Sequence, residues 1–264
     1  MGFIVGGGSQ SHQDLSPASR SSEVKPYVQA LTFLDLDSCV KLEEVTFPPE
    51  ERCSREKFEY RFSKCSELSL GLFTSADTTI ATATTSQPTL ANPGSATTAS
   101  TSVPVYSGTP ERKSILLGHI IATKTTNPLV RDEDMALPPN WRAEHQRGID
   151  SPSTVTPAWT PRIGASGDGP SVTPPGHKED GRTICIHSLA VLPEFQGRGL
   201  GKLLLRSYIQ RMEGSGVADR VAIIAHEKLV PWYEGMGFES KGQSPVEFAG
   251  GKWVDLSLDL KKEE

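Results

Sequence analysis

Two neighbouring stretches of this chain hold residues whose types and spacing could do chemistry. The turn Gln196-Gly197-Arg198-Gly199-Leu200-Gly201 has more glycine than a reversal of direction requires, and it ends where Leu203, Leu204, Tyr208 and Met212 begin an apolar stripe at helical spacing. The first amides of a helix lack internal partners and sit at the positive end of its dipole. Such a turn can grip a diphosphate, which glycine allows to come close. Just upstream, His187 stands in the apolar run of residues 184–191. An imidazole with an ordinary pKa of about 6.5 accepts a proton at neutral pH, directly or through water. If that run is a strand, alternation puts Cys185, His187, Leu189 and Val191 on one face.

Two familiar phosphate grips do not fit the turn. A nucleoside-triphosphate loop needs Ser or Thr after Gly-Lys to reach magnesium, and Gly201-Lys202 is followed by Leu203. The dinucleotide fingerprint needs G-x-G-x-x-G, whereas the glycines here fall as G-x-G-x-G. What remains is a diphosphate carrier of another kind. No grouping of His, Cys, Asp and Glu has the spacing of a zinc site, so no metal is expected. His119 has apolar neighbours and reads as a satisfied core residue, while His226-Glu227 ends a strand near the expected cleft.

The elements that must carry these residues follow from local pattern. Residues 27–33 alternate as a first strand, Asp35 or Asp37 can cap a helix running to Val45, and Phe47-Pro48-Pro49 breaks it. Ser54 caps a second helix over 55–63, followed by strands at 68–73 and 114–124. After the strand at 184–191 come the glycine turn and a helix to about Glu213. A central strand at 221–225, a short helix over 228–236 ended by Gly237, and strands at 238–241 and 253–259 complete the order β-α-α-β-β-β-α-β-α-β-β.

The turn matches Q/R-x-x-G-x-G/A, and the chain there resembles the GNAT superfamily of acetyl-CoA-dependent N-acetyltransferases. Cys185-Ile186-His187-Ser188-Leu189-Ala190-Val191 resembles the H-x-H-x-L-A-V strand of the arylalkylamine (serotonin-type) and polyamine branch. Leu229-Val230-Pro231-Trp232-Tyr233-Glu234-Gly235-Met236-Gly237-Phe238 resembles its L-V-P-F-Y-x-x-x-G-F, and Cys65-Ser66-Glu67-Leu68-Ser69-Leu70-Gly71 its C-P-E-L-S-L-G. The resemblance implies an α/β (α+β) GNAT fold, with a mixed, splayed sheet flanked by helices and CoA entering where the strands at 184–191 and 221–225 part. It implies direct acetyl transfer to a small primary amine, an arylalkylamine such as serotonin or tryptamine, or a polyamine. A protein-lysine or N-terminal acetyltransferase and an inactive CoA-binding sensor are the alternatives.

The same resemblance implies roles for single residues. His187 takes the amine proton and Tyr233 gives one to the departing CoA sulfur. Leu189, Ala190 and Val191 offer main-chain groups to the acetyl and pantetheine portions. Gln196, Gly197, Arg198, Gly199, Leu200, Gly201 and Lys202 hold the diphosphate, and Phe47 and Pro48 belong to a lid over the amine. The sequence departs from the branch where Cys185 replaces the first histidine, and Cys185 reads as packing.

Composition sets the remaining bounds. Residues 74–113 are dominated by Thr, Ser and Ala, and residues 127–181 are rich in Pro, Gly and Asp with little apolar periodicity. Both read as disordered inserts in a single domain over 24–264, preceded by a disordered leader at 1–23. His145 and His177 fall in the second insert. A net charge of −5 with scattered Lys and Arg gives no footprint for nucleic acid. No stretch approaches the roughly 18 apolar residues of a membrane span. The four cysteines form no disulfide framework, so a reducing, cytoplasmic setting is the default expectation.

Overall fold

The computed structural model describes residues 24–77, 112–143, 146 and 175–261. Seven strands form one open sheet in the order β1-β2-β3-β4-β5-β7-β6. They are β1 (Pro26–Ala30), β2 (Leu70–Asp77), β3 (Arg112–Thr125), β4 (Thr183–Val191), β5 (Arg220–Ala225), β6 (Glu239–Gln243) and β7 (Val254–Asp259). Only β4 and β5 run parallel; every other pair is antiparallel. The helices are α1 (Leu36–Thr46), α2 (Arg55–Cys65), α3 (Asp132–Met135), α4 (Leu200–Ser215) and α5 (Val230–Glu234). This is the mixed, helix-flanked sheet that the resemblance implies.

The three long helices are each held by the stripe their sequence provides. Leu36, Cys39 and Leu42 of α1, Phe58, Phe62 and Cys65 of α2, and Leu204, Leu205, Tyr208 and Met212 of α4 are buried in one core with β2, β3 and β4. The expected stripe on α4 was one residue out of phase: Leu203 is exposed and Leu205 is buried in its place. The phenol of Tyr208 would be costly to bury alone, and it donates to the Leu68 carbonyl at 2.9 Å. Ser54 caps α2 as expected, accepting from the Lys57 amide. Asp35 does not cap α1. Thr32 instead caps the 3-10 turn at Phe33–Asp35, and the Asp35 carboxylate accepts the Thr32 amide at 2.9 Å. That turn ends β1 at Ala30, short of the expected Phe33.

Two irregularities shape the centre of the sheet. β4 and β5 pair only from Thr183 to Cys185, and beyond that point the strands diverge. The β3–β4 register also skips a residue, because Ile121 pairs with Ser188 while Ala122 pairs with Ile186, leaving His187 as the extra residue of a bulge. The expectation of Cys185, His187, Leu189 and Val191 on one face therefore fails after His187: Cys185 and His187 share the face of Thr123, and Leu189 and Val191 alternate onto the other. His187 and Ser188 both meet side chains of the same face of β3, namely Thr123 and His119, four residues apart.

The ends of the expected second insert are folded. Val130, Met135 and Trp141 are buried, although the sequence reading placed them in a stretch that does not pack. Turn-rich composition hid three widely spaced apolar anchors. His177, expected to be incidental, accepts the Lys124 amide through Nδ1 at 3.1 Å, and its own amide donates to the Tyr60 hydroxyl at 2.8 Å. His145, the leader at 1–23 and most of both proposed inserts lie outside the described residues.

Candidate active site

Where β4 and β5 part, alternate amides of β4 lose their parallel partner and face a cleft. This cleft, about 530 Å³, is walled by Leu189 and Val191 of β4, by Gln196, Gly197, Gly199, Gly201 and Lys202 of the glycine turn, and by Thr46, Leu229, Trp232 and Tyr233. A volume of this size suits a cofactor-sized ligand. Gly197 and Gly199 have φ of +72° and +81°, and a Cβ built on either meets no atom within 4 Å. Gly199 is the N-cap of α4, no side chain caps it, and no acidic residue stands in the first turn. The turn therefore keeps an open concavity at the positive end of a sixteen-residue helix. These features fit a bound diphosphate.

Not every residue assigned to this grip faces the cleft. Gln196 lines the cleft, but its side-chain amide donates to the Val191 carbonyl at 2.9 Å and so braces the end of β4. Arg198 stacks over the Phe195 ring at 5.3 Å. Ala190 is buried in register with His119, and neither Arg198, Leu200 nor Ala190 lines the cleft.

A smaller cavity of about 100 Å³ adjoins the cleft and shares Leu189, Leu229 and Tyr233 with it. Its lining also includes His187, Ser188 and Met135, together with Phe47, Glu51, His226, Phe248 and Trp253. Of the two residues expected in a lid, Phe47 lines this cavity and Pro48 does not. The segment that follows Phe47 is pinned by Arg52, whose guanidinium donates to the Phe47 and Glu44 carbonyls at 2.8 Å each.

His187 is held at both ring nitrogens. Nε2 lies 2.8 Å from the Thr123 hydroxyl and Nδ1 3.1 Å from the Met135 thioether. A thioether is a weak partner, so Nδ1 is the nitrogen freer to exchange a proton. Burial, reinforced by the charges of Arg61, Lys57 and His177, holds the imidazole well below its ordinary pKa and keeps it neutral. Tyr233 packs edge-on against Trp232 and Phe238, with ring centroids 4.8 and 5.6 Å away. Burial pushes its phenol up to about 12, so it stays protonated and can donate. Cys185 is fully buried against Val130, Met135 and Ala222. Burial also raises its thiol well above the usual value, which suits packing and not thiolate chemistry.

Several wall residues were not found from sequence. Trp253 and Phe248 stack beside His226, whose ring lies 4.3 Å from that of Trp253 and whose Nε2 pairs with Glu51 at 3.0 Å. Trp253 and Phe248 carried no signal, whereas His226 did through its place at the end of a strand. His119 is a buried core histidine, as expected, but its partners Glu43 and Ser188 were not anticipated. Among the described residues there is no cluster of three metal-ligating side chains, and no helix is long and apolar enough to cross a membrane.

Residues 176–260 match the family described as Acetyltransferase (GNAT) domain. This part of the chain is similar to a GNAT acetyltransferase domain. Its glycine turn, β4, β5 and α5 all fall within the match. The domain is similar to Serotonin N-acetyltransferase of Mesocricetus auratus, 31% identical over 85 residues that cover 32% of this chain and 41% of that one. The same enzyme of Homo sapiens is 27% identical over 85 residues, with coverage of 32% and 41%. The chain thus spans about two fifths of the length of these relatives. The loading GNATL domain of CurA from Lyngbya majuscula superposes with a TM-score of 0.51 at 12% identity, covering 89% of this chain and 98% of that one. The GNAT fold therefore extends beyond the matched residues into the first half of the chain.

Proposed function

We propose that this chain transfers acetyl from acetyl-CoA to a small primary amine in a ternary complex. The observation that carries this reading is the junction of two cavities: an open anion cradle at the N-terminus of α4, and a small, largely apolar pocket that holds His187, sharing Leu189 and Tyr233 as a common wall. Gly197, Gly199, the first amides of α4 and Lys202 would hold the CoA diphosphate. When bound, acetyl-CoA supplies the acyl group as a thioester.

The residues of the chain would do the rest. A free alkylamine resembles a lysine side chain with a pKa of about 10.4 and is mostly protonated at neutral pH, so a proton must be removed before nitrogen can attack. His187, kept neutral by its surroundings, receives that proton at Nδ1, the nitrogen whose partner is a thioether. Tyr233 keeps its proton through the physiological range and offers it to the leaving sulfur. Phe47, Phe248 and Trp253 give an aryl or alkyl group an apolar surface, and Glu51 sets one carboxylate among them. The small volume of this pocket favours a small amine over a folded protein segment.

Steady-state assays with tryptamine, serotonin, spermine and a histone peptide test the reading. Acetylation of one of the small amines, with saturation by acetyl-CoA, is the expected result. Tight CoA binding without acetylation of any amine would overturn it and favour a sensor.

A further inference from the structure

Glu43, His119 and Ser188 form a buried polar cluster that the chemistry above leaves unused. They come from α1, β3 and β4. His119 Nε2 lies 3.0 Å from Glu43 Oε1 and 3.1 Å from Ser188 Oγ, and the Ser188 hydroxyl donates to the same carboxylate oxygen. The second oxygen, Glu43 Oε2, accepts the Cys53 amide at 3.0 Å. Burial pushes this carboxyl up, yet the hydrogen bond and charge of His119, the Cys53 amide and the Ser188 hydroxyl outweigh burial and leave it below its usual range. It is an ionised anchor and a poor proton acceptor.

The arrangement is not a nucleophile triad. There, the hydroxyl and the carboxylate bind opposite nitrogens of the imidazole. Here both meet Nε2, and Nδ1 has no partner among the described residues. Nothing prepares Ser188 to attack.

What the cluster joins is informative. Ser188 follows His187 in the β4 bulge, and both line the small pocket. Cys53 closes the segment that carries Phe47 and Glu51, which line the same pocket. We propose that Glu43 is a positioning residue whose single carboxylate ties the bulge presenting His187 to the segment that walls the amine pocket, through Ser188 on one oxygen and the Cys53 amide on the other. This rests on the acetyl-transfer reading.

Two variants of the full chain test it. Ser188→Ala removes one hydroxyl and keeps the Glu43–His119 pair; Glu43→Gln sets an NH2 group against donors at one end of the clamp. Each is measured for CoA affinity by calorimetry, for kcat and KM with the amine the wild type acetylates, and for the ring signals of His187 by NMR. CoA affinity should hold, the His187 signals should shift, and kcat should fall about 10- to 100-fold, the cost of misplacing a reacting group by about 1 Å. Wild-type kcat and KM in soluble Ser188→Ala would overturn the proposal. So would CoA affinity falling in step with kcat, which would mark a general stabiliser. Should Glu43→Gln fail to fold, Ser188→Ala decides alone. If the wild type acetylates no amine, the reading of the activity fails, and unshifted His187 signals in Ser188→Ala would then separately overturn the clamp.

Discussion

His187 and Tyr233 differ in what their surroundings do to a proton, and that difference sets what each substitution should cost. Removal of a general base costs about 10²- to 10⁴-fold, so His187→Gln should lower turnover by that order if His187 takes the amine proton. The sign with pH follows from burial: the imidazole titrates below its ordinary value of about 6.5, so it is neutral at and above that pH. The ratio of wild-type to variant rate should therefore be constant above about pH 6.5 and narrow only as pH falls through the depressed folded value, while the amine's own pKa of about 10.4 keeps both rates rising toward alkaline pH. A ratio near one at neutral pH, measured with one amine across a buffer series, would remove His187 as the base. The same depressed pKa links to stability: His187 contributes fully above its unfolded value of about 6.5, and the contribution is lost as pH falls through the folded value. Tyr233→Phe keeps the ring packing against Trp232 and Phe238 and removes only the hydroxyl. A thiol leaving group has a pKa near ~8.5 and needs little help, so turnover should fall only modestly, with unchanged thermal stability. Because the phenol titrates at about 12, neither enzyme should show an alkaline limb from this group below pH 10.

The glycine turn and α4 act as one unit, and their glycines should respond differently to one added methyl. Gly199 has φ of +81° and open space at its Cβ, whereas Gly201 has ordinary contacts at 3.7 Å to Trp232 and 3.8 Å to Val191 and no left-handed strain. Gly199→Ala should cost about 1–2 kcal/mol of stability for the left-handed backbone. Its methyl also enters the proposed diphosphate cradle, so CoA affinity measured by calorimetry should fall more than stability does. Gly201→Ala should leave stability and fold intact, and equal losses of CoA affinity in the two variants would place the diphosphate elsewhere. This unit was readable in the sequence because all its determinants are local: strand, turn and helical stripe follow one another within residues 184–212. Phase was the weak point, since Leu204, Leu205, Tyr208 and Met212 fit the buried face where Leu203 had been expected. The bulge at His187 was also invisible, because a strand's own alternation carries no record of a residue its partner skips. Least legible were the walls of the small pocket. Glu43 meets His119 across 76 residues and Ser188 across 145, and Glu51 meets His226 across 175. Such pairs are created by topology, and no local spacing encodes them.

At the scale of the whole molecule, the chain brings a matched GNAT domain at 176–260 together with β1 and the β2–β3 hairpin, which complete the sheet, and with Phe47, Glu51 and Met135, which line the small pocket from outside the match. Composition alone divided this molecule into core and insert, and it erred where few anchors sit among many turn formers, as with Val130, Met135 and Trp141. The first proposed insert presents a cleaner case. β2 and β3 stay paired to their tips beyond a one-residue shift at Leu72/Phe73, with Asp77 opposite Arg112, so the chain leaves and re-enters the sheet at adjacent positions. A hairpin closed at that point needs only a few residues to join its strands. Closure entropy grows slowly with loop length, so a long connection adds little cost and its removal returns little. Replacing residues 80–108 with a short Gly-Asn linker should therefore leave the fold, CoA affinity and kcat near wild type, with Tm equal or slightly raised. Calorimetry and steady-state assays on the shortened chain check this. Loss of soluble protein would place part of that segment in the core, and retained folding with a lost or altered KM for the amine would assign it to the substrate side of the site.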